Sequence, residues 1–115
     1  MEASEAAAKT RQNINAEKDQ TILLVKEFIH EVTEDIKNVL KGKEAQLYYK
    51  MDDLKKHERL SRYPWLAKEI EGEHPATTKT IISEFGKLVV STLENLGYKV
   101  ELTSYNLTIS WAYLI

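Results

Sequence analysis

The last third of the chain carries the pattern that most restricts its fold. A helical apolar pattern ends at Leu96-Gly97, and two alternating segments follow over residues 98–102 and 107–113, separated by Ser104-Tyr105-Asn106. Glycine just past the last apolar helical residue is typical of a helix C terminus, because it accepts the left-handed conformation. The alternation of apolar and polar residues predicts two strands joined as a hairpin. Since an isolated hairpin is only marginally stable in water, another element must cover or extend it.

A second long helix is predicted upstream of that glycine, over residues 77–96. Thr77 or Thr78 would be its N-cap. The apolar residues are spaced by three and four, which is typical of a face packed on a core. They are Ile81, Ile82, Phe85, Leu88, Val89, Leu93 and Leu96.

The first 41 residues are helix-forming almost throughout. A heptad seam runs through Ile22, Val25, Ile29, Val32, Ile36 and Val39, and it is widened by Leu24, Phe28 and Leu40. Gly42 ends the helix. The seam is either a surface between subunits or a face buried against the second helix of the same chain. Its N-terminal extension is more polar (Ala8, Arg11, Asn15 and Lys18), which predicts a solvated helix or one that docks on a partner.

The middle of the chain is the least regular part. Residues 44–51 have strand character, with Leu47, Tyr49 and Met51 on one face. A short helix is predicted over residues 65–71, ended by Gly72 and Pro75. The fold class is therefore one α+β domain with a helical part (1–41), a strand and irregular part (44–75) and a helix plus hairpin (77–113). The hairpin would pack on the helices, join the strand near Tyr48, or pair across a subunit boundary.

Composition narrows the functional classes. The formal net charge is −2, whereas proteins that bind polymeric nucleic acid usually carry a clear basic excess. The absence of cysteine excludes disulfides, thiolate metal sites and cysteine nucleophiles. The longest near-apolar run, residues 21–25, is too short to span a membrane, and the acidic N terminus does not resemble a signal peptide. We therefore expect a cytoplasmic protein without a membrane or nucleic-acid partner.

No set of residues has the spacing of a known catalytic or metal site. The three histidines, His30, His57 and His74, lie far apart and lack zinc-motif spacing. Two acidic groups, Asp52-Asp53 and the cluster Glu69, Glu71 and Glu73, would serve a nuclease only if they converged on a pair of metal ions. We expect no enzyme activity, no metal and no cofactor.

The strongest candidate for chemistry combines cations with aromatic rings. The segment Arg59-Leu60-Ser61-Arg62-Tyr63-Pro64-Trp65 holds both kinds, and its arginines have no obvious acidic partner at helical spacing. Arginine binds phosphate through two hydrogen bonds, and flat rings stack on bases. The predicted ligand-binding residues are Arg11, Tyr48, Arg59, Arg62, Tyr63 and Trp65. The alternative is that the rings belong to the core and the arginines are ordinary surface charges.

Two segments resemble a known family. They are Leu96-Gly97-Tyr98-Lys99-Val100-Glu101 with Thr108-Ile109-Ser110-Trp111, and an alanine-rich start that ends in Thr10-Arg11-Gln12-Asn13. This pattern is similar to that of a family of small phage-encoded proteins that block CBASS defence. They are called sponges because they bind and sequester the defence signal. The resemblance implies a homo-oligomer, with a tetramer favoured and with sites near subunit junctions. The resemblance further implies that the protein sequesters a cyclic dinucleotide of the cyclic GMP-AMP kind, without cleaving it, in an infected bacterial cell.

Two other functions remain open on the residues alone. One is a structural or protein-binding adaptor that docks a host or phage partner through the N-terminal helix. The other is an enzyme that degrades the signal.

Overall fold

The chain contains both helices and short antiparallel strands, which confirms the coarse prediction of a mixed helical and strand protein. The computed structural model describes residues 2–72 and 77–115. The helices are α1 (Ala3–Val39), α2 (Met51–Leu54) and α3 (Glu84–Asn95), and a 3-10 turn covers Ala112–Leu114. The strands are β1 (Gln46–Lys50), β2 (Ala67–Glu71), β3 (Thr78–Ile82), β4 (Lys99–Leu102) and β5 (Asn106–Ser110).

Only the second half of α1 contributes to the core. The helix has 37 residues, and its buried side chains are Val25, Phe28, Val32 and Ile36. They pack against α3 and β1 of the same chain, which is one of the two alternatives that the heptad pattern left open. Ile22, at the start of the predicted seam, is 47% exposed. All side chains of residues 2–20 are exposed, so this half of the helix extends away from the core.

The predicted hairpin and the predicted extra strand form one sheet. Its order is β1-β5-β4, with both pairs antiparallel. Leu107 and Ile109 of the central strand are fully buried under the helices. Gly97 has a φ of 98°, which confirms the left-handed helix end predicted for it. The hairpin therefore joins the strand that contains Tyr48, one of the three arrangements expected for it.

Two predictions in the middle of the chain are wrong. Residues 67–71, expected to be helical, form β2, and it pairs with β3 in a second, two-stranded sheet. The second long helix begins at Glu84 and not at residue 77, because residues 78–82 are in β3. The sequence Thr78-Lys79-Thr80-Ile81-Ile82 is rich in β-branched side chains, which fit a pleated ribbon better than a helix. Glu73, His74 and Pro75 lie outside the described residues.

Within residues 2–72 and 77–115, no helix combines the length and the apolar character that a bilayer crossing requires. In the same residues, no three His, Asp or Glu side chains are grouped so as to hold a metal ion.

Candidate functional site

The arginines of the candidate segment contact acidic residues of α1. The Arg59 guanidinium donates hydrogen bonds to the carboxylates of Asp35 and of Glu31, the latter at 3.1 Å. The bond to Asp35 raises the pKa of Arg59 above its ordinary value. Arg62 lies 3.8 Å from the other oxygen of Glu31 and donates to the Tyr63 hydroxyl at 2.9 Å. Both arginines thus have partners, at distances along the chain that helical spacing does not reveal.

Asp35 is the centre of a closed polar network beneath this segment. The Tyr49 hydroxyl donates to Asp35 at 2.6 Å. Burial, which is the larger cause, and this hydrogen bond both raise the pKa of Tyr49. Nε2 of His57 lies 3.5 Å from the same carboxylate. Nδ1 of His57 accepts the backbone N–H groups of Arg59 and Leu60, each at 3.1 Å. Because Nδ1 is an acceptor, the ring proton is assigned to Nε2, facing Asp35. The network fastens residues 57–60 to α1.

Tyr63 is a core residue. It is 8% exposed, and its ring packs edge-on against Phe28 at 5.3 Å and parallel to Phe85 at 6.1 Å. This is the alternative that the sequence left open for the rings of the segment.

Arg11 and Tyr48 lie away from that segment. Arg11 is in the exposed half of α1, and Glu31 follows it in the same helix at a distance of about 30 Å along the axis. Tyr48 is on the outer face of β1, where its hydroxyl accepts a hydrogen bond from the Asn106 side chain at 3.2 Å. Within one chain, the structure therefore does not bring Arg11 together with Arg59 and Arg62. A site that used all three would need a second chain.

Trp65 borders a cleft that we call the Trp65 cleft. It has a volume of about 350 Å³, and its floor is formed by buried side chains of the core. The floor residues are Phe28, Leu54, Leu60, Tyr63 and Leu66. The polar rim is formed by Asp52, Lys55, Ser61, Lys68, Glu69, Ser104 and Tyr105. An apolar floor with a few polar groups around the mouth is typical of small-molecule sites.

Two aromatic rings stand at the mouth of this cleft. Trp65 is 46% exposed, and the Lys68 ammonium lies 4.4 Å from the centre of its ring, in a cation–π contact. Tyr105 comes from the turn between β4 and β5, and its hydrogen bond with Glu69 raises the pKa of its hydroxyl. The backbone N–H of Met51 donates to the carbonyl of Tyr105 at 2.8 Å and fixes that turn. The mouth therefore offers rings, lysines and carboxylates close together.

The first turn of α3 holds the backbone at Trp65. The Ser83 hydroxyl donates to the Trp65 carbonyl at 2.6 Å and accepts the Gly86 N–H at 2.9 Å, while the Ser83 N–H donates to the Leu66 carbonyl at 2.9 Å. Gly86 permits this approach, because a Cβ there would lie 2.3 Å from the Leu66 oxygen. The position of Trp65 is thus set by the fold before any ligand binds.

Sequence reasoning found Trp65 but missed its neighbours at the cleft. Lys68 follows Trp65 by three residues, a spacing that would also bring the two side chains together on the helix predicted over residues 65–71, so this pair could have been found from the sequence. Tyr105 and Lys55 reach the cleft through the pairing of β1 with β5, and no local pattern signals that contact.

Comparison with known proteins adds no assignment, since no family model, curated protein or solved structure matches this chain.

Proposed function

We infer that this protein binds a small phosphorylated nucleotide of the cyclic dinucleotide class in the Trp65 cleft, and that it retains the ligand without cleaving it. The observation that carries the proposal is the half-exposed indole of Trp65 with a lysine ammonium over its face. Stacking of a base on such a ring contributes about 1–3 kcal/mol. The base would take the place of the Lys68 ammonium above the ring, and Lys68 would then be available to a phosphate oxygen.

The charges around the mouth suit a ligand that carries both phosphates and base edges. Lys55 and Lys68 supply two cations, and Asp52 and Glu69 supply two carboxylates. Carboxylates accept hydrogen bonds from the amino groups of purine and cytosine bases, whereas the lysines attract phosphate. This mixture favours a nucleotide over an inorganic anion, because the carboxylates repel an inorganic anion but can accept hydrogen bonds from a base.

The size of the cleft sets how much of the ligand it can hold. Its volume of about 350 Å³ is near the lower limit for small-molecule sites. We therefore place one base and its phosphate in the cleft of one chain. The rest of the ring would be covered by another subunit, in keeping with the homo-oligomer, a tetramer, that the resemblance implies. Sequestration needs affinity alone, and we propose that it takes place in the cytoplasm of an infected bacterial cell.

Isothermal titration with cyclic GMP-AMP tests the proposal. We expect micromolar or tighter binding to the wild type and at least a tenfold loss in Trp65→Ala and Lys68→Ala. The matched control is Lys99→Ala, since Lys99 makes a similar cation–π contact, 4.9 Å from the Tyr113 ring centre and outside the cleft. Its affinity should equal that of the wild type.

Three outcomes contradict the proposal. Absence of binding at micromolar concentration would remove it, and so would equal affinity in Trp65→Ala. Recovery of a linear product after heat denaturation of the complex would replace sequestration with hydrolysis.

The second candidate is an adaptor protein, and the exposed half of α1 is the observation that favours it. A helix of about 27 Å with no side chain in the core offers a long surface for another protein. An adaptor of this kind would bind no cyclic dinucleotide in the titration above, which separates the two candidates.

A further inference from the structure

Glu69 is a carboxylate at the rim of the Trp65 cleft whose position is fixed by a neighbouring side chain. It belongs to β2 and accepts a hydrogen bond from the Tyr105 hydroxyl. Tyr105 is held in turn, because its carbonyl accepts the Met51 N–H at 2.8 Å. A group that is ordered before the ligand arrives loses less conformational entropy on binding than a free side chain does. Glu69 is therefore suited to choosing between ligands.

The neighbours of Glu69 in the β2–β3 ribbon leave it directed to the cleft. Across the ribbon it lies opposite Thr80, which is neutral. Side chains alternate along a strand, so Lys68 leaves β2 on the opposite face. The Lys68 ammonium lies over the Trp65 ring instead, 4.4 Å from its centre. Lys68 and Glu69 thus approach the mouth of the cleft from the two sides of one strand.

The Glu69 carboxylate can accept further hydrogen bonds. An ionised carboxylate has two oxygens with about four lone-pair sites, and it has no donor. The Tyr105 hydroxyl occupies one of these sites. The remaining sites fit a ligand edge with two adjacent N–H groups. An edge that carries a lone pair in either position would leave that lone pair facing the carboxylate without a donor, which is unfavourable.

Among the common bases, guanine alone has two adjacent donors on its Watson–Crick edge, namely N1–H and the N2 amino group. Adenine has an unprotonated N1 beside its N6 amino group, and cytosine has an unprotonated N3 beside its N4 amino group. Uracil and thymine have one N3–H between two carbonyl oxygens. Each of these four bases would bring at least one acceptor to the carboxylate. A polar site of this kind discriminates strongly, because the mismatched base leaves polar groups unpaired.

The spacing along the chain allows one base to contact both Trp65 and Glu69. Their Cα atoms are separated by four residues and are thus at most about 14 Å apart. Both side chains line the same cleft. In a purine, the sugar and phosphate are attached on the side away from the Watson–Crick edge. When that edge is directed to Glu69, the phosphate is directed away from it and is left for Lys68.

We propose that Glu69 selects guanine: the base lies on the Trp65 ring, and its N1–H and N2 amino groups donate to the Glu69 carboxylate. This inference rests on the proposed nucleotide site and adds the identity of the base that the cleft of one chain holds. The cyclic dinucleotide that the protein retains is therefore one with at least one guanine. Asp52, the other rim carboxylate, comes from α2 and takes no part in this contact.

Three ligands test the selection on the wild-type chain by isothermal titration, namely cyclic di-GMP, cyclic di-AMP and cyclic di-IMP. Cyclic di-AMP offers the carboxylate an acceptor in place of N1–H, and its affinity should be lower than that of cyclic di-GMP by at least about 100-fold. Hypoxanthine keeps N1–H and lacks only the N2 amino group. The affinity of cyclic di-IMP should therefore be intermediate, about tenfold below that of cyclic di-GMP.

Glu69→Gln makes the corresponding change in the protein. Glutamine offers one acceptor and one donor, which match the N6 amino group and N1 of adenine. The affinity for cyclic di-GMP should fall at least about tenfold, that for cyclic di-AMP should rise, and loss of the N2 amino group should have little further effect. The matched control is Glu71→Gln, the same change two residues along β2 and outside the cleft lining. It should keep the wild-type preference, and circular dichroism checks that both variants are folded.

The outcomes separate this inference from the proposed function. If the wild type binds none of these ligands and no cyclic GMP-AMP at micromolar concentration, the nucleotide site is removed and the guanine contact with it. Equal affinities for cyclic di-GMP and cyclic di-AMP leave the nucleotide site in place and overturn the selection by Glu69. A guanine preference that survives in Glu69→Gln and is lost in Asp52→Asn assigns the contact to Asp52, which also overturns the proposal.

Discussion

Gly86→Ala tests the contact that positions the candidate site. In an open helix, this change stabilises by about 1 kcal/mol because alanine has the higher helix propensity. Here the added Cβ would lie 2.3 Å from the Leu66 oxygen and 3.0 Å from Cγ2 of Ile82. The Leu66 carbonyl is backbone, so the first turn of α3 must move away from it by roughly 1 Å to reach ordinary contact distance.

The two effects have opposite signs, and the steric one is larger. Overpacking of this kind costs about 1–3 kcal/mol. The movement also stretches the hydrogen bond from the Ser83 N–H to Leu66, which contributes about 1 kcal/mol. After subtraction of the propensity gain, Gly86→Ala should lower the free energy of unfolding by about 1–3 kcal/mol. For a chain of this size, that is a decrease in Tm of roughly 4–12 °C.

Urea titration followed by circular dichroism measures the effect. Gly42→Ala is the matched control, because a Cβ there meets only the Val39 oxygen, at 3.7 Å. We expect Gly42→Ala to be neutral or stabilising by a few tenths of a kcal/mol, through the lower entropy of the unfolded chain. A Gly86→Ala variant as stable as the wild type would refute the close approach, and with it the argument that α3 fixes Trp65.

Three further predictions concern the polar contacts of the core and the cleft. Ser83→Ala should reduce stability by about 1 kcal/mol in urea titration and should also weaken nucleotide binding, because the same hydroxyl caps α3 and holds the Trp65 carbonyl. Asp35→Leu leaves the buried Tyr49 hydroxyl without its acceptor and should cost about 1–3 kcal/mol; a double-mutant cycle with Tyr49→Phe should recover part of that loss, and strict additivity would contradict the coupling. Burial and the bond to Asp35 raise the pKa of Tyr49 above its ordinary value of 10.0, so above about pH 10 the unfolded chain releases a proton that the folded chain keeps. Stability should therefore fall as pH rises past 10, and this fall should be smaller in Tyr49→Phe when unfolding is measured between pH 8 and 11.

Local patterns predicted the two ends of the chain better than the middle, although β5 ends at Ser110 and Ala112–Leu114, expected to continue the strand, form a 3-10 turn. The helix end at Gly97 and the hairpin after it depend on turn chemistry and strict alternation, which act over a few residues. The segment after Trp65 contains Lys68, Glu69 and Glu71, which are common in helices, but pairing with β3 overrides that preference. The start of α3 was placed too early because Ile81 and Ile82 match a helical spacing as well as a strand.

The candidate site was only partly accessible from sequence, because its residues meet through tertiary contacts. Trp65 was identified from the density of rings and cations around it. The same reasoning assigned Arg59 to a ligand, although Glu31 and Asp35, far earlier in the chain, already bind its guanidinium. Tyr105 reaches the cleft only because β5 lies beside β1. Such contacts leave no periodic trace.

The strand order β1-β5-β4 has a consequence for how this protein emerges from the ribosome. Both outer strands depend on Asn106–Ser110 for their hydrogen bonds, so β1 remains without its neighbour while the following 55 or so residues are translated. During that interval, the apolar side chains of α1 and β1 are open to chaperones or to other nascent chains. Synthesis that terminates before Asn106 would therefore release a polypeptide with an incomplete sheet and an uncovered core.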